Sequence, residues 1–376
     1  MCKKITFIMF VKNFLMKKNT IIFLVLAFLF SNSNLFAQDS SKIKNFFQKN
    51  VDVSGQWFIS GNYDDADSLW QFELKRGYFT IESQLTKNLS ARYTQDITLD
   101  TEGEDAGNVE MRLKYLYLQQ DINFLPKFQK GAVFVGMIHR PWVEYEQKIN
   151  SYRVLGPLFL ENSDVISSAD FGIAYEGLIG GEIDEDCKKN VNSKDLGKYG
   201  SFSFGLYNGG GYHAIEQNNN KTFETRLTAR PFYSFMPGLQ VGYAFVTGKA
   251  NVKTKNTKFN MNVFYLSSES KHHVLLAQYY KGKGDFSGKY VDTLFNSNLN
   301  DGYSVFGEFK IPKTKFSIVG RYEYFTSKDK DTYYLNRINA GIAYRFLKNK
   351  IVFGAEYKEK NSKIRRLYEI ALEIRF

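Results

Sequence analysis

Arg112, Arg140, Lys148, Arg153, Arg226 and Arg230 are the residues of this chain whose types and spacing most readily do chemistry. Each keeps its charge at neutral pH. Gathered around a narrow, partly dehydrated passage, such cations attract anions and must bind them weakly enough to let them leave. The Debye length at physiological ionic strength is ~8 Å, so only charges at a real constriction could dominate such selection. Glu110, Glu224, Glu323, Glu356 and Glu373 share faces with basic residues, which leaves a second reading open. Inward Arg and Glu on adjacent strands could pair and simply tile a wall.

Catalytic and metal chemistry finds less support. The chain has 4 histidines. His272 and His273 start a strand beside a tight turn, so they point to opposite faces and read as a solvated pair. His139 falls on the apolar parity of its strand, at the rim, with no evident Ser or Asp partner in sequence. Gly209-Gly-Gly211 is followed by neither a helix nor Gly-Lys-Ser/Thr, and Asn218-Asn-Asn220 reads as loop. No metal, cofactor or catalytic residue is expected. A barrel enzyme or a surface-loop adhesin is the alternative, and neither a nucleophile set beside His139 nor one very large external domain is evident.

The elements that must position the cations read as strands. The chain ends on Tyr368-Glu-Ile-Ala-Leu-Glu-Ile-Arg-Phe376, with Tyr368, Ile370, Leu372, Ile374 and Phe376 on one face. Glu369, Glu373 and Arg375 lie on the other, because side chains alternate along a strand. The same pattern recurs over 51–60, 70–82, 88–98, 108–120, 131–140, 169–178, 200–207 and 222–232. It continues over 238–248, 257–267, 272–281, 302–311, 315–326, 336–347, 350–359 and 366–376. About sixteen strands, each of ~10 residues tilted ~40°, fit a transmembrane antiparallel β-barrel with apolar residues toward lipid. A lysine or arginine facing lipid near the midplane costs ~2–4 kcal/mol, so the charged faces belong inside. Val109, Met111, Leu113, Tyr115 and Tyr117 are assigned outward, opposite Glu110, Arg112 and Lys114. Tyr322, Tyr324, Tyr344 and Phe346 fit interfacial girdles.

Both ends of the chain agree with this class. Lys17 and Lys18 precede an apolar run from Ile21 to Phe30 and a small residue at Ala37, which predicts a signal peptide over 1–37. Met16 is an alternative start. A short periplasmic segment, 38–50, then leads into the barrel, 51–376. The formal net charge is +11; without the five lysines of 1–37 it is 45 basic against 39 acidic residues, or +6. That is weak support for nucleic-acid binding, and none is expected. Cys187 would then be the sole cysteine, so no intramolecular disulfide is expected.

Connections alternate in length. Short turns such as 312–314 and 348–349 fall at one end, and longer polar loops such as 99–107 and 282–301 at the other. The segment 179–199 breaks this rule: either the strand phase slips there or the turn carries an insertion. The connection 141–168 holds Trp142, Tyr145, Ile149, Tyr152, Leu155, Leu158, Phe159 and Leu160, which must bury somewhere. Folding inward against the barrel wall would narrow the lumen and present Lys148 and Arg153; packing on neighbouring loops or a partner subunit is the other possibility.

Several segments resemble a known family. Arg76-Gly-Tyr-Phe-Thr-Ile-Glu82, Val109-Glu-Met-Arg-Leu-Lys-Tyr115, His139-Arg-Pro-Trp142 and Tyr152-Arg-Val154 are similar to the phosphate-selective porin O and P family of Bacteroidetes-type outer membranes. So are Gly156-Pro157, Ser168-Ala-Asp-Phe-Gly172 and Tyr207-Asn-Gly-Gly-Gly-Tyr-His213. The resemblance implies a sixteen-stranded trimeric barrel in the outer membrane, among lipid and lipopolysaccharide, with an inward third loop. It implies passive diffusion of small anionic solutes; neutral ones would share the path. This chain shows scattered Arg92, Arg112, Arg226 and Arg230 where the family's best-studied members carry an arginine ladder.

Overall fold

The computed structural model describes residues 49–100, 104, 106–123, 128–191, 194–253, 257–328 and 333–376. The predicted signal peptide, Met16 and most of 38–50 lie outside the described residues.

Sixteen antiparallel strands close into one barrel, each bonded to its sequence neighbours and the last to the first. They begin with β1 (Val51–Asp64), β2 (Leu69–Thr86), β3 (Leu89–Leu99) and β4 (Val109–Asp121). Next come β5 (Phe128–His139), β6 (Ala169–Ile179), β7 (Gly200–Tyr207) and β8 (Thr222–Ala229). The third quarter is β9 (Leu239–Lys249), β10 (Lys258–Glu269), β11 (His273–Lys283) and β12 (Leu299–Lys310). Finally β13 (Phe316–Lys328), β14 (Tyr333–Phe346), β15 (Asn349–Lys360) and β16 (Lys363–Arg375) return to β1, where Gln56 faces Arg375 and Asp64 faces Leu367. Every backbone ladder finds a partner, the condition for strands to sit in hydrocarbon.

The outer surface has the character of a lipid face. Ile318, Ile342, Phe353 and Ile370 occupy one cross-strand row and are each more than half exposed. A shallow apolar depression of about 610 Å³ lies among them. Two aromatic belts bound this surface: Tyr303 with Tyr322 and Tyr324 toward one end, Phe316 with Tyr344 and Phe346 toward the other. The inner face is ionic. Arg321 reaches Glu323 at 2.8 Å, Lys350 reaches Glu373 at 3.1 Å and Lys75 reaches Glu369 at 2.7 Å.

Two local irregularities overturn the expected alternation. Thr94 faces Tyr115 while Gln95 faces Leu113, so Lys114 is an extra residue on β4. This bulge turns Tyr115 and Tyr117 inward, where both are buried, and leaves Leu116 and Leu118 exposed. Gly136 is the second, with φ +130 and room for no Cβ, which would stand 2.3 Å from the Leu116 carbonyl oxygen. Beyond it Met137, Ile138 and His139 are all buried. His139 therefore does not sit at a lipid rim: it hydrogen-bonds Glu176 and meets Tyr117 and Phe134 edge-on.

The connection after β5 folds inward. It carries helix α1 (Pro141–Ile149), a 3-10 turn at Arg153–Leu155 and a single helical turn, α2 (Phe159–Asn162). Tyr145 bonds Ser267 at 2.8 Å, Tyr152 donates to Glu308 at 2.7 Å, and Lys350 donates to the Ser151 carbonyl at 2.7 Å. Arg321 and Arg337 donate to the carbonyls of Pro157 and Leu155. Trp142, Val154, Leu158 and Phe159 fill the main apolar core against the inward side of β9–β15.

Candidate functional site

With the long loop against the later strands, the free lumen lies between its exposed face and β1–β4. Pro141 opens α1, where its missing N–H costs nothing, and the helix then divides by face. Trp142, Tyr145, Glu146 and Ile149 turn toward the wall and are buried. Glu144, Gln147 and Lys148, at helical spacings of three and four, line a cavity of about 240 Å³. Arg92, Tyr115, Arg153, Lys194 and Arg375 line it too. An adjoining cavity of about 340 Å³ is bordered by the cations Arg92, Lys114, Arg153, Lys348 and Arg375, and its described lining contains no Asp or Glu side chain, though Phe376, the last residue, borders it.

The cations differ in how far they are neutralised. Arg153 is held by Glu161 at 2.8 Å, and Lys148 by Glu144 at 3.5 Å. Arg92 lies 3.3 Å from the half-exposed Glu82 and 5.0 Å from the centre of the Tyr115 ring. Arg76 and Arg112 share Asp96, each at 3.4 Å. Lys114 is buried among ring faces, 4.6 Å from Tyr78, 5.7 Å from Tyr115 and 5.8 Å from Tyr212, and donates to the Tyr78 hydroxyl at 3.3 Å. Rings stabilise an ammonium without cancelling its charge. Lys114 thus differs from Arg76, Arg92, Arg112, Lys148 and Arg153, which meet carboxylates, as Arg375 meets Glu373.

Charges on the loop respond to the same surroundings. Burial would raise the Glu144 carboxyl, but Lys148 and then His139 hold it below the usual carboxylate range. Burial opposes the Lys148 ammonium, yet Glu144 and Glu176 raise it. Glu146, on the wall side of α1, is pushed up to about 7 by burial, against the hydrogen bond from Gln278 at 2.7 Å.

The six cations singled out in sequence separate into two groups. Lys148 and Arg153 come together at the cavity, and Arg112 lies on the facing wall with Asp96 and Glu110. Arg140 is fully buried, its Nε 2.8 Å from Glu224 beneath the start of α1. Arg226 is buried as well, 5.1 Å from the Tyr145 ring and 2.8 Å from Ser201 Oγ. Arg230 donates to the carbonyls of Gly197 and Asp195 at 3.0 and 2.7 Å. All three are buried, Arg226 on β8 and Arg140 and Arg230 just beyond the ends of β5 and β8, and they do not line these two cavities. Sequence reasoning did not count Arg76, Lys114, Lys194, Lys348 and Arg375 among the selectivity candidates, although it placed Lys114 and Arg375 on inward faces. The one signal for Lys114 was its place in the run Glu110-Met-Arg-Leu-Lys114; what brings the others together is the barrel's closure.

No family model matches the chain, and no curated protein matches it. Its fold is that of solved outer-membrane barrels at low identity. An anion-selective porin from Comamonas acidovorans superposes with TM-score 0.62 at 11% identity, covering 87% of this chain and 99% of that one. OmpF of Salmonella typhi, in complex with daunomycin, gives 0.57 at 14% identity, covering 86% and 98%. The outer membrane channel DcaP of Acinetobacter baumannii gives 0.57 at 11% identity, covering 87% and 97%.

Proposed function

We propose that the chain is an outer-membrane porin, a water-filled channel through which small hydrophilic solutes diffuse passively, with a preference for anions such as phosphate. The carrying observation is the cation-rich cavity between the long loop and β2–β4, with Lys114 held by rings and no Asp or Glu side chain in the described lining of the 340 Å³ cavity. A sixteen-stranded barrel encloses more volume than its side chains fill, so a wet lumen follows from geometry. Fixed cations at its narrow part lower the barrier for anions. The fold likeness to porins supports the channel reading, and the resemblance to the phosphate-selective porin O and P family supports phosphate.

The same reading includes export through a signal peptide cleaved after Ala37, contact with outer-membrane lipid and lipopolysaccharide, and a homotrimer. A trimer form of OmpT from Vibrio cholerae shares the fold at TM-score 0.55 and 13% identity, covering 87% of this chain and 99% of that one. Conductance in a planar bilayer tests the channel. Phosphate competing against chloride current tests the substrate, and the absence of competition would remove phosphate while leaving the channel.

A further inference from the structure

The connection between β6 and β7 stands apart from the other turns at its end of the barrel. Those after β2, β10 and β14 are only 87–88, 270–272 and 347–348, whereas this one runs from 180 to 199. Its described parts, 180–191 and 194–199, form an anchored unit. Helix α3 (Glu185–Val191) buries Cys187 and Val191 with Ile183, against Leu196 and Tyr233. The Ile183 amide donates to the Leu196 carbonyl at 2.8 Å, and the Lys198 amide to the Gly181 carbonyl at 2.8 Å. Arg230 clamps the return limb through the Asp195 and Gly197 carbonyls, and Ser201 donates to Asp195 at 2.7 Å. A segment that merely looped into solvent would need none of this.

Its destination is visible in the cavity lining. Lys194 borders the same 240 Å³ cavity as Gln56 on β1 and Arg375 on β16, strands five to seven places round the circle from β6 and β7. A side chain from one rim that shares a cavity with strands that far round the circle must project into the lumen. The long loop enters from the other end and brings Lys148 and Arg153 to that cavity.

We propose that the β6–β7 connection is a second constricting element, and that Lys194 is a specificity-determining residue placed across the anion path from the side opposite the long loop. The inference rests on the channel reading. Solute would pass Lys148 and Arg153 on one side and Lys194 on the other, with Arg375 between, so charge selection extends along the passage.

The test measures reversal potential of the full-length protein in a salt gradient. Lys194→Glu shifts selectivity toward cations, and Lys194→Gln shifts it less. Lys194→Cys loses part of the anion preference and regains it when an aminoethyl methanethiosulfonate reagent rebuilds the ammonium. Lys189→Glu, on the exposed face of α3 and absent from the cavity lining, leaves selectivity unchanged. Heat-modifiable electrophoretic mobility reports whether each variant has folded. If the native protein conducts, and Lys148→Glu with Arg153→Glu shifts selectivity while folded Lys194→Glu and the modified cysteine do not, the connection lies outside the path and the proposal is overturned. If the native protein does not conduct, the channel reading itself has failed.

Discussion

At the scale of single residues, the account turns on how each cation is compensated. Lys148 and Arg153 have carboxylate partners on the loop itself, so replacing both by Glu converts two paired cations into a run of anions facing Arg92 and Arg375. Selectivity should move toward cations, read as a change in the sign or size of the reversal potential. Lys114 differs because rings surround it: Lys114→Met should weaken phosphate competition and leave the barrel folded, since a methionine keeps the apolar stem against Tyr78 and Tyr115. Glu146 provides a pH test. Its carboxyl is raised from 4.5 to about 7 by burial, so the neutral form favours docking of α1. Arg321 and the Gln278 hydrogen bond act against this rise, while Glu161 and Glu323 add to it. A raised folded-state value makes that contribution complete below about pH 4.5 and lost as pH climbs through about 7. Amide-exchange protection of α1, corrected for intrinsic rate, should fall between pH 5 and 8, and Glu146→Gln should flatten the profile.

At the scale of elements, the long loop is held by a few buried polar contacts as well as its apolar face. Arg140 and Glu224 form an ion pair with almost no exposure to solvent at the root of α1. Replacing Arg140 by Gln leaves Glu224 buried without its cation, a loss of roughly 3–5 kcal/mol. Urea titration in detergent should register it, along with a noisier open channel as α1 loosens. Gly136 tests the strand side: with φ +130 and the Leu116 carbonyl 2.3 Å from any Cβ, Gly136→Val should prevent correct assembly of β4 and β5, seen as loss of the heat-modifiable band. The alternation of apolar and charged residues made the strands and the inward loop legible in sequence, because lipid on one side and water on the other leave a period-two pattern little freedom. It could not reveal the bulge at Lys114 or the turn at Gly136. An inserted residue reverses the side chains after it, and a glycine at positive φ re-aims those beside it, while the composition stays unchanged, which is why Tyr115, Tyr117 and His139 were assigned to the wrong face.

At the scale of the whole molecule, the closed circle brings Arg92, Lys148, Arg153, Lys194 and Arg375, dispersed along the sequence, to one passage. No local pattern records that convergence; it depends on which wall the loop covers. The loop's apolar residues found cover on the inward side of β9–β15, and that choice left β1–β4 as the open side. The same choice buried Arg140 and Arg226, whose parity alone made them equal to Arg112. Mass analysis of the exported protein should give an N-terminus at Gln38, and a chain retaining residues 1–37 would remove the proposed leader. The most direct test of the central claim is single-channel recording in a planar bilayer under a salt gradient. A stable, water-filled conductance whose reversal potential reports anion preference is the expected result; a barrel that inserts without conducting, or one that conducts with clear cation preference, would contradict it.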